Sequence, residues 1–387
     1  MTVGVPKESY PGETRVALVP KHIPALTKAG CSVQVEAGAG EASGIEDSEY
    51  ADKGATIVTD RKKLLSDADV LLTVRSAGAN PDKAEAEAKL FKEGALVIGF
   101  LSPYEPHKSF EVLKSRKISS MSMELIPRIT RAQSMDALSS MANLAGYKAV
   151  LLAGAYAPQM FPMMMTAAGT IPPAKIFIVG VGVAGLQAIA TGKRLGAVVR
   201  AYDIRPAVKE QVESLGARFV EMKLDTGDAE GKGGYAKEMD EEFYKKQREM
   251  MMDVVADSDI VITTAAIPGK PSPRLVTKEM VDGMKRGSII IDLAAERGGN
   301  CELTKAGEEV NYKGVRIHGP LNIPASLPAN ASDLYSKNTS NLLTYLIKEG
   351  VLTLDSEDEI VQATLVTHAG DAPNEAIRDR LELGGAS

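Results

Sequence analysis

The chain has 387 residues, enough for two domains with separate cores, and its 44% hydrophobic and 25% charged residues suit a globular protein. A net charge of −6 argues against nucleic acid as a partner, because such surfaces are usually basic. Cys31 and Cys301 are too few for a disulfide framework, and the first residues lack the basic start and apolar core of a secretion signal, so a reducing, cytoplasmic setting is expected.

In the first third, Ser32–Glu36 and residues 70–74 and 95–100 read as strands, while residues 22–28 and 109–115 have helical spacing. Such alternation implies parallel strands joined by crossover helices. Residues 134–157 read as one long helix with Leu138, Met141, Ala142 and Ala145 on one face. The uncharged stretch 149–174 is long enough to cross a bilayer, at about 20 residues for a helix. Pro158, Pro162, Pro172 and Pro173 interrupt it, which predicts a helix end followed by a loop or hairpin.

A second α/β unit follows, with Lys175–Val179, Val198–Tyr202, Ile260–Thr263 and residues 288–291 as buried parallel strands. The charged segment 225–249 predicts an exposed loop passing into a helix, and residues 325–347 another long helix. After Val351 the chain reads as irregular, with residues 369–387 a loosely held tail packed on the first domain. The expected fold is α/β, two Rossmann-like doubly wound parallel-sheet domains joined by long helices. Residues 1–137 with 329–387 form one domain and 138–328 the other.

The glycines Gly180, Gly182 and Gly185 come directly after the strand Lys175–Val179 and open a helix over residues 184–195. In that setting the first glycine allows a tight turn, the second lets the backbone approach a pyrophosphate, and the third allows close helix–strand packing. The helix N-terminus then offers unpaired N–H groups to the phosphates. Asp203 closes the next strand, 18 residues past Gly185, where a carboxylate can accept from ribose hydroxyls and repel the 2′-phosphate of NADP. NAD(H) is therefore the expected cofactor. Val183, Ala184, Ile204, Arg205, Tyr235 and Ala265 are counted with the same site. Arg205 is a counter-signal, since an arginine can accept that phosphate; the other reading is a solvated turn charge.

Four histidines, His22, His107, His318 and His368, are scattered, and surface roles are expected for His22 and His107. No cluster has metal-ligand spacing, so no metal is expected and acid–base candidates are scarce. The densest polar run is Pro127-Arg128-Ile129-Thr130-Arg131-Ala132-Gln133-Ser134-Met135-Asp136-Ala137-Leu138-Ser139-Ser140. A helix start with Ser134 as N-cap and Asp136 in the first turn accounts for some of it but leaves Arg128 and Gln133 without a role.

That run, extended to Tyr147, resembles the NAD(H)-binding peripheral component of proton-translocating nicotinamide nucleotide transhydrogenase. So do Ile171-Pro172-Pro173-Ala174, Gly233-Gly234-Tyr235-Ala236-Lys237-Glu238-Met239, Ile267-Pro268-Gly269-Lys270 and Gly298-Gly299-Asn300. The likeness extends over nearly the whole chain to about residue 365. The wider family includes alanine dehydrogenase, which shares Val5-Pro6-Lys7-Glu8 and Gly12-Glu13-Thr14-Arg15-Val16-Ala17.

The resemblance implies that Arg128, Asp136 and Ser139 hydrogen-bond the nicotinamide end of NAD(H), and that Gln133 reaches toward NADP(H) on a partner subunit. Tyr147 would support the loop, and Tyr235 would fold over the nucleotide unless it is an ordinary loop tyrosine. Implied partners are an NADP(H)-binding subunit and a membrane proton-channel subunit, with this chain on the cytoplasmic face of the inner membrane. Residues 160–173 would form an arm pairing two copies into a homodimer; the other reading is a covered surface loop. Arg297 stands where a small residue is expected. Two alternatives remain, an alanine dehydrogenase-like amino-acid oxidoreductase and a non-catalytic NAD-sensing module. Against the first, the substrate lysine and catalytic histidine of such dehydrogenases fall at Arg75 and Ser102.

Overall fold

A computed structural model describes residues 1–221, 241–267 and 269–383. The chain divides into two compact units, Met1–Met141 with Pro324–Ser387, and Ala142–Ile323. The first begins with β1 (Thr2–Val5), α1 (Ile23–Lys28), β2 (Ser32–Glu36), α2 (Asp47–Asp52), β3 (Thr56–Val58) and α3 (Arg61–Asp67). It continues with β4 (Val70–Arg75), α4 (Ala84–Ala88), β5 (Leu96–Phe100), α5 (Lys108–Ser115) and β6 (Ser119–Ser122).

The chain leaves this unit within α6 (Ala137–Tyr156), and β7 (Met164–Thr166) pairs with β8 (Gly169–Ile171) as a hairpin. Then come β9 (Lys175–Val179), α7 (Val183–Arg194), β10 (Val198–Tyr202), α8 (Lys209–Ser214), β11 (Arg218–Phe219) and α9 (Glu241–Ala256). The second unit ends with β12 (Ile260–Thr263), α10 (Lys278–Asp282), β13 (Ile289–Asp292), β14 (Glu309–Tyr312) and β15 (Val315–His318). The returning chain adds α11 (Pro328–Leu346), β16 (Ile347–Lys348), β17 (Val351–Leu352), α12 (Glu359–Thr364), β18 (Leu365–Thr367) and α13 (Glu375–Arg380).

The first sheet runs β3-β2-β1-β4-β5-β6-β18, the second β11-β10-β9-β12-β13-β15-β14. Apart from the antiparallel edge strands β18 and β14, every pairing is parallel. Each unit thus has the doubly wound Rossmann order, in which winding reverses between the first strand and the fourth. Both faces of the second sheet are buried, and its strands show why. Ile176, Ile178, Ile260 and Ile262 enter one core with Ala149, Val150 and Ala153 of α6, while Phe177, Val179 and Val261 enter the other with Met251 and Val255 of α9. A strand covered on both sides must be apolar at every position, which is how these runs read.

Several expectations need correction. Residues 134–157 do not form one helix: a 3-10 turn covers Thr130–Met135, and α6 starts at Ala137. Asp136, rather than Ser134, caps it, because its Oδ1 accepts from the Ser139 N–H at 2.8 Å. Of the face expected along α6, Met141 is buried, but the deeper contacts come later, at Ala149, Val150 and Ala153. The chain after Val351 is not irregular, nor is its end loosely held. There β18 pairs with β6, and Ala372, Ile377, Leu381 and Leu383 enter the core of the first unit. His22 is no surface group: its side chain is 12% exposed and Nδ1 lies 2.8 Å from Ser336 Oγ on α11. No helix among the described residues is long and apolar enough to cross a membrane.

Candidate functional site

The second sheet reverses direction between β9 and β12, and the turn after β9 lies at that point. Gly180 has φ +95°, a conformation strained for any side chain, and a Cβ there would fall 2.9 Å from the Ala265 nitrogen. Gly185 sits in the first turn of α7, where a Cβ would come within 2.1 Å of the Gly180 carbonyl oxygen. Gly146 of α6 is as tight, its Cβ falling 2.1 Å from the Ala184 carbonyl oxygen. These three glycines are demanded by the packing of the chain itself.

Gly182 is different. It is the N-cap of α7, has φ −83°, makes no side-chain cap, and a Cβ there would meet nothing within 4 Å. Packing does not require a glycine at this position, but a ligand approaching the backbone would. The first N–H groups of α7, from Val183 and Ala184, border the same space and have no partner within the helix. A pyrophosphate therefore fits the turn.

Asp203 follows β10 and is 9% exposed. Its Oδ2 accepts from the Val181 N–H at 2.7 Å, and its Oδ1 from the Arg205 N–H at 2.9 Å. The Arg205 guanidinium grips the same carboxylate in bidentate fashion, Nε to Oδ1 at 2.8 Å and Nη2 to Oδ2 at 2.8 Å. Arg205 is thus no solvated turn charge. Ile204, between them, is partly buried.

Two further residues shape the turn, and sequence reasoning gave neither a role. The Thr264 hydroxyl donates to the Gly180 carbonyl at 2.9 Å. Asn300, fully buried, accepts from the Ala265 N–H at 3.0 Å and donates to the carbonyls of Ala265 and Pro273, both at 2.9 Å. This explains the Gly298-Gly299-Asn300 run. Both glycines have positive φ, and a Cβ on Gly299 would fall 2.7 Å from Asp292 Oδ2. Arg297 is exposed beside them, at the end of the short turn Ala295–Arg297. Tyr235 lies outside the described residues, as does Pro268.

In the first unit, the polar loop is held from α11, where Asn338 and Asn341 both donate to the Ser134 carbonyl, at 2.9 and 3.1 Å. Asp136 and Ser139 are brought together: besides the cap, the Ser139 hydroxyl donates to Asp136 Oδ2 at 2.6 Å. Arg128 and Gln133 are exposed on the same loop, and Tyr147 is exposed on α6. No group of three or more His, Cys, Asp or Glu side chains suited to a metal occurs among the described residues.

The first sheet reverses at β1 and β4, but this point is filled by the chain itself. Glu8 accepts from the Val74 and Arg75 N–H groups at 2.6 and 3.1 Å, and Glu124 from those of Leu101 and Ser102. Burial of the carboxyl, with Glu13 close by, pushes Glu8 up to about 8 against two main-chain donors that pull it down. Glu13 in turn is shared between Arg15, at 2.6 Å, and Arg75, at 3.1 Å. The positions expected to hold a dehydrogenase lysine and histidine are therefore an arginine paired to Glu13 and Ser102 in a left-handed backbone conformation.

One doubly wound sheet closed by its own carboxylates, and another ending in a bare glycine turn, define a dinucleotide-fold protein with its nucleotide turn in the second unit. Comparison with known proteins gives the family. The chain belongs to the alanine dehydrogenase/PNT family, whose N-terminal domain model matches residues 4–145 and whose C-terminal domain model matches residues 149–375. It is 50% identical over 374 residues to the first of the chains that make up NAD(P) transhydrogenase subunit alpha in Rhodospirillum rubrum, covering 96% of this chain and 97% of that one. The crystal structure of transhydrogenase from Sinorhizobium meliloti superposes with a TM-score of 0.86 at 47% identity, covering 96% of this chain and all of the other. Alanine dehydrogenase 2 of Staphylococcus aureus is more distant, 28% identical over 391 residues, 99% of this chain and 97% of that one.

Proposed function

We propose that this chain is the NAD(H)-binding subunit of a proton-translocating transhydrogenase, passing hydride between NADH and NADP⁺ held on a partner subunit. The observation that carries the nucleotide reading is Gly182, a glycine that packing does not require, at the sheet's reversal point. The identity with alpha-subunit relatives supports the reaction. Hydride transfer from one nicotinamide ring to another is chemistry that the two nucleotides supply. The chain's own residues bind and align. Gly180, Gly182 and Gly185 with the first turn of α7 take the pyrophosphate, and Asp203 the adenosine ribose. Arg128, Asp136 and Ser139 take the nicotinamide end, and Gln133 reaches to the partner's NADP(H).

The same reading makes the chain a peripheral subunit on the cytoplasmic face of the inner membrane, docked on membrane subunits that move protons. It also makes the β7–β8 hairpin the homodimer contact, which suits the exposure of Met163, Met164, Met165 and Ile171 along it. The test is to mix the protein with an NADP(H)-binding transhydrogenase domain and follow hydride exchange. Exchange is expected, and Gln133→Asn should slow it at least tenfold with NADH affinity unchanged within about twofold, since alignment alone is disturbed. Silence with NADH binding intact would overturn the reading. Turnover of alanine and NAD⁺ without partners would favour the dehydrogenase instead; the pairing of Arg75 with Glu13 weighs against that.

A further inference from the structure

The Asp203 carboxylate is saturated. It receives four hydrogen bonds, two on each oxygen, which fills the acceptor capacity of an ionised carboxyl group. Two come from main-chain N–H groups that the turn fixes, and two from the Arg205 guanidinium, whose Nη2 also donates to the Val181 carbonyl at 3.2 Å. Both partners are largely out of water, the side chains being 6% and 13% exposed. The two residues lie two positions apart on a buried strand end, so the pairing costs little chain entropy. Charge-assisted bidentate pairs of this kind are among the stronger polar contacts a protein makes.

This arrangement bears on how NADP(H) is excluded. A carboxylate beside the ribose repels a 2′-phosphate by charge, and an arginine beside it would attract one. Here both are present, and the carboxylate holds the arginine: the guanidinium's charge is cancelled, and Nε and Nη2 are already donating. We infer that Asp203 selects NAD(H) in two ways, by its own charge and by withholding Arg205 from the 2′-phosphate, so that Arg205 is a latent phosphate ligand that only Asp203 keeps silent. This rests on the glycine turn and Asp203 being the nucleotide site.

The experiment is a double-mutant cycle on the full chain, with NADH and NADPH affinities measured by calorimetry for wild type, Asp203→Ala, Arg205→Ala and the double variant. Asp203→Ala should gain NADPH affinity about tenfold or more, the scale of a charged hydrogen bond, and the gain should fall with added salt. The double variant should lose most of that gain. If Asp203→Ala gains equally with and without Arg205, Asp203 acts by its charge alone and the inference is wrong. Asp203→Asn, which keeps an acceptor for the Val181 N–H, repeats the cycle should the alanine variant not fold. Failure of the underlying site is separately visible, since wild-type protein would then show no NADH binding for Gly182→Ala to weaken.

Discussion

Gly182 and Gly185 are three residues apart and serve different masters, which a pair of alanine substitutions can expose. In Gly185→Ala the added carbon would stand 2.1 Å from the Gly180 carbonyl oxygen and 3.0 Å from its carbon. An ordinary carbon–oxygen approach is about 3.3 Å or more, so α7 would have to move off β9 by roughly 1 Å. Ala188 and Ile189 of α7 are fully buried in the core that would be pried open. Overpacking of this kind costs about 1–3 kcal/mol, here at the upper end because backbone stands on both sides. For a unit of this size that lowers Tm by about 5–10 °C. In Gly182→Ala the carbon enters open space at a permitted φ of −83°. Losing a glycine N-cap costs less than about 1 kcal/mol, and the stiffer unfolded chain returns some of it, so Tm should stay within about 2 °C of wild type. NADH affinity should fall at least about tenfold, about 1.4 kcal/mol, since the methyl stands where the pyrophosphate must approach. Scanning calorimetry and NADH titration read the two effects. A Gly182→Ala protein that binds NADH like wild type, or that loses stability as Gly185→Ala does, would refute the reasoning.

Two further substitutions test the scaffold. Asn300→Ala leaves the Ala265 N–H and two carbonyls without their buried partner, so denaturant unfolding should show a loss of about 2–3 kcal/mol, and a loss below about 0.5 would show the clamp to be idle. Glu8 is raised from 4.5 to about 8 by folding, so its contribution to stability is complete below the lower value and is lost as pH rises through the higher one. Glu8→Gln should therefore flatten the fall in Tm between about pH 5 and 8.5, whereas parallel curves for the two proteins would assign that fall to other groups.

Much of the second unit was legible because its strands are covered on both faces and so carry unbroken apolar runs, as in Ile260–Thr263. The strand β6 was hidden for the opposite reason. Its sequence is Ser-Ser-Met-Ser, and three hydroxyls in a buried strand become acceptable only through partners far along the chain. Ser119 meets His368 Nδ1 at 2.9 Å and Ser120 meets Thr367 Oγ1 at 2.7 Å. The strand that supplies Thr367 was itself missed, because Leu365–Thr367 is short and its pairing is not local. At the site, Gly180 and Gly185 followed from spacing, but the grip of Arg205 on Asp203 did not: sequence places the two charges nearby without saying whether they face each other or the solvent. The misplaced N-cap has a similar cause. Ser134 and Asp136 are both good capping residues, and the choice was made by α11, whose Asn338 and Asn341 hold the Ser134 carbonyl within the preceding turn.

The two sheets share one strand order, so topology alone does not decide which of them takes a nucleotide. The fourth strand of each ends in exposed main-chain donors at the reversal point, and the difference lies in what satisfies them. After β4 the donors of Val74 and Arg75 go to Glu8, a carboxyl group from the turn that follows β1. A phosphate brought there would displace the chain's own acid and meet Glu13 behind it. After β12 the donor of Ala265 goes instead to Asn300, a neutral amide whose remaining hydrogens are spent on two carbonyls. The turn after β9 then contributes glycines and no acid until Asp203, which lies a strand away and is neutralised by Arg205. An aspartate in place of Asn300 would set an uncompensated charge against Ala265, beside the α7 N-terminus, and point a carboxylate oxygen at two carbonyls. The neutrality of that clamp keeps the helix end attractive to an anion, and it separates the unit that can hold a dinucleotide from the one that has filled the same place with itself.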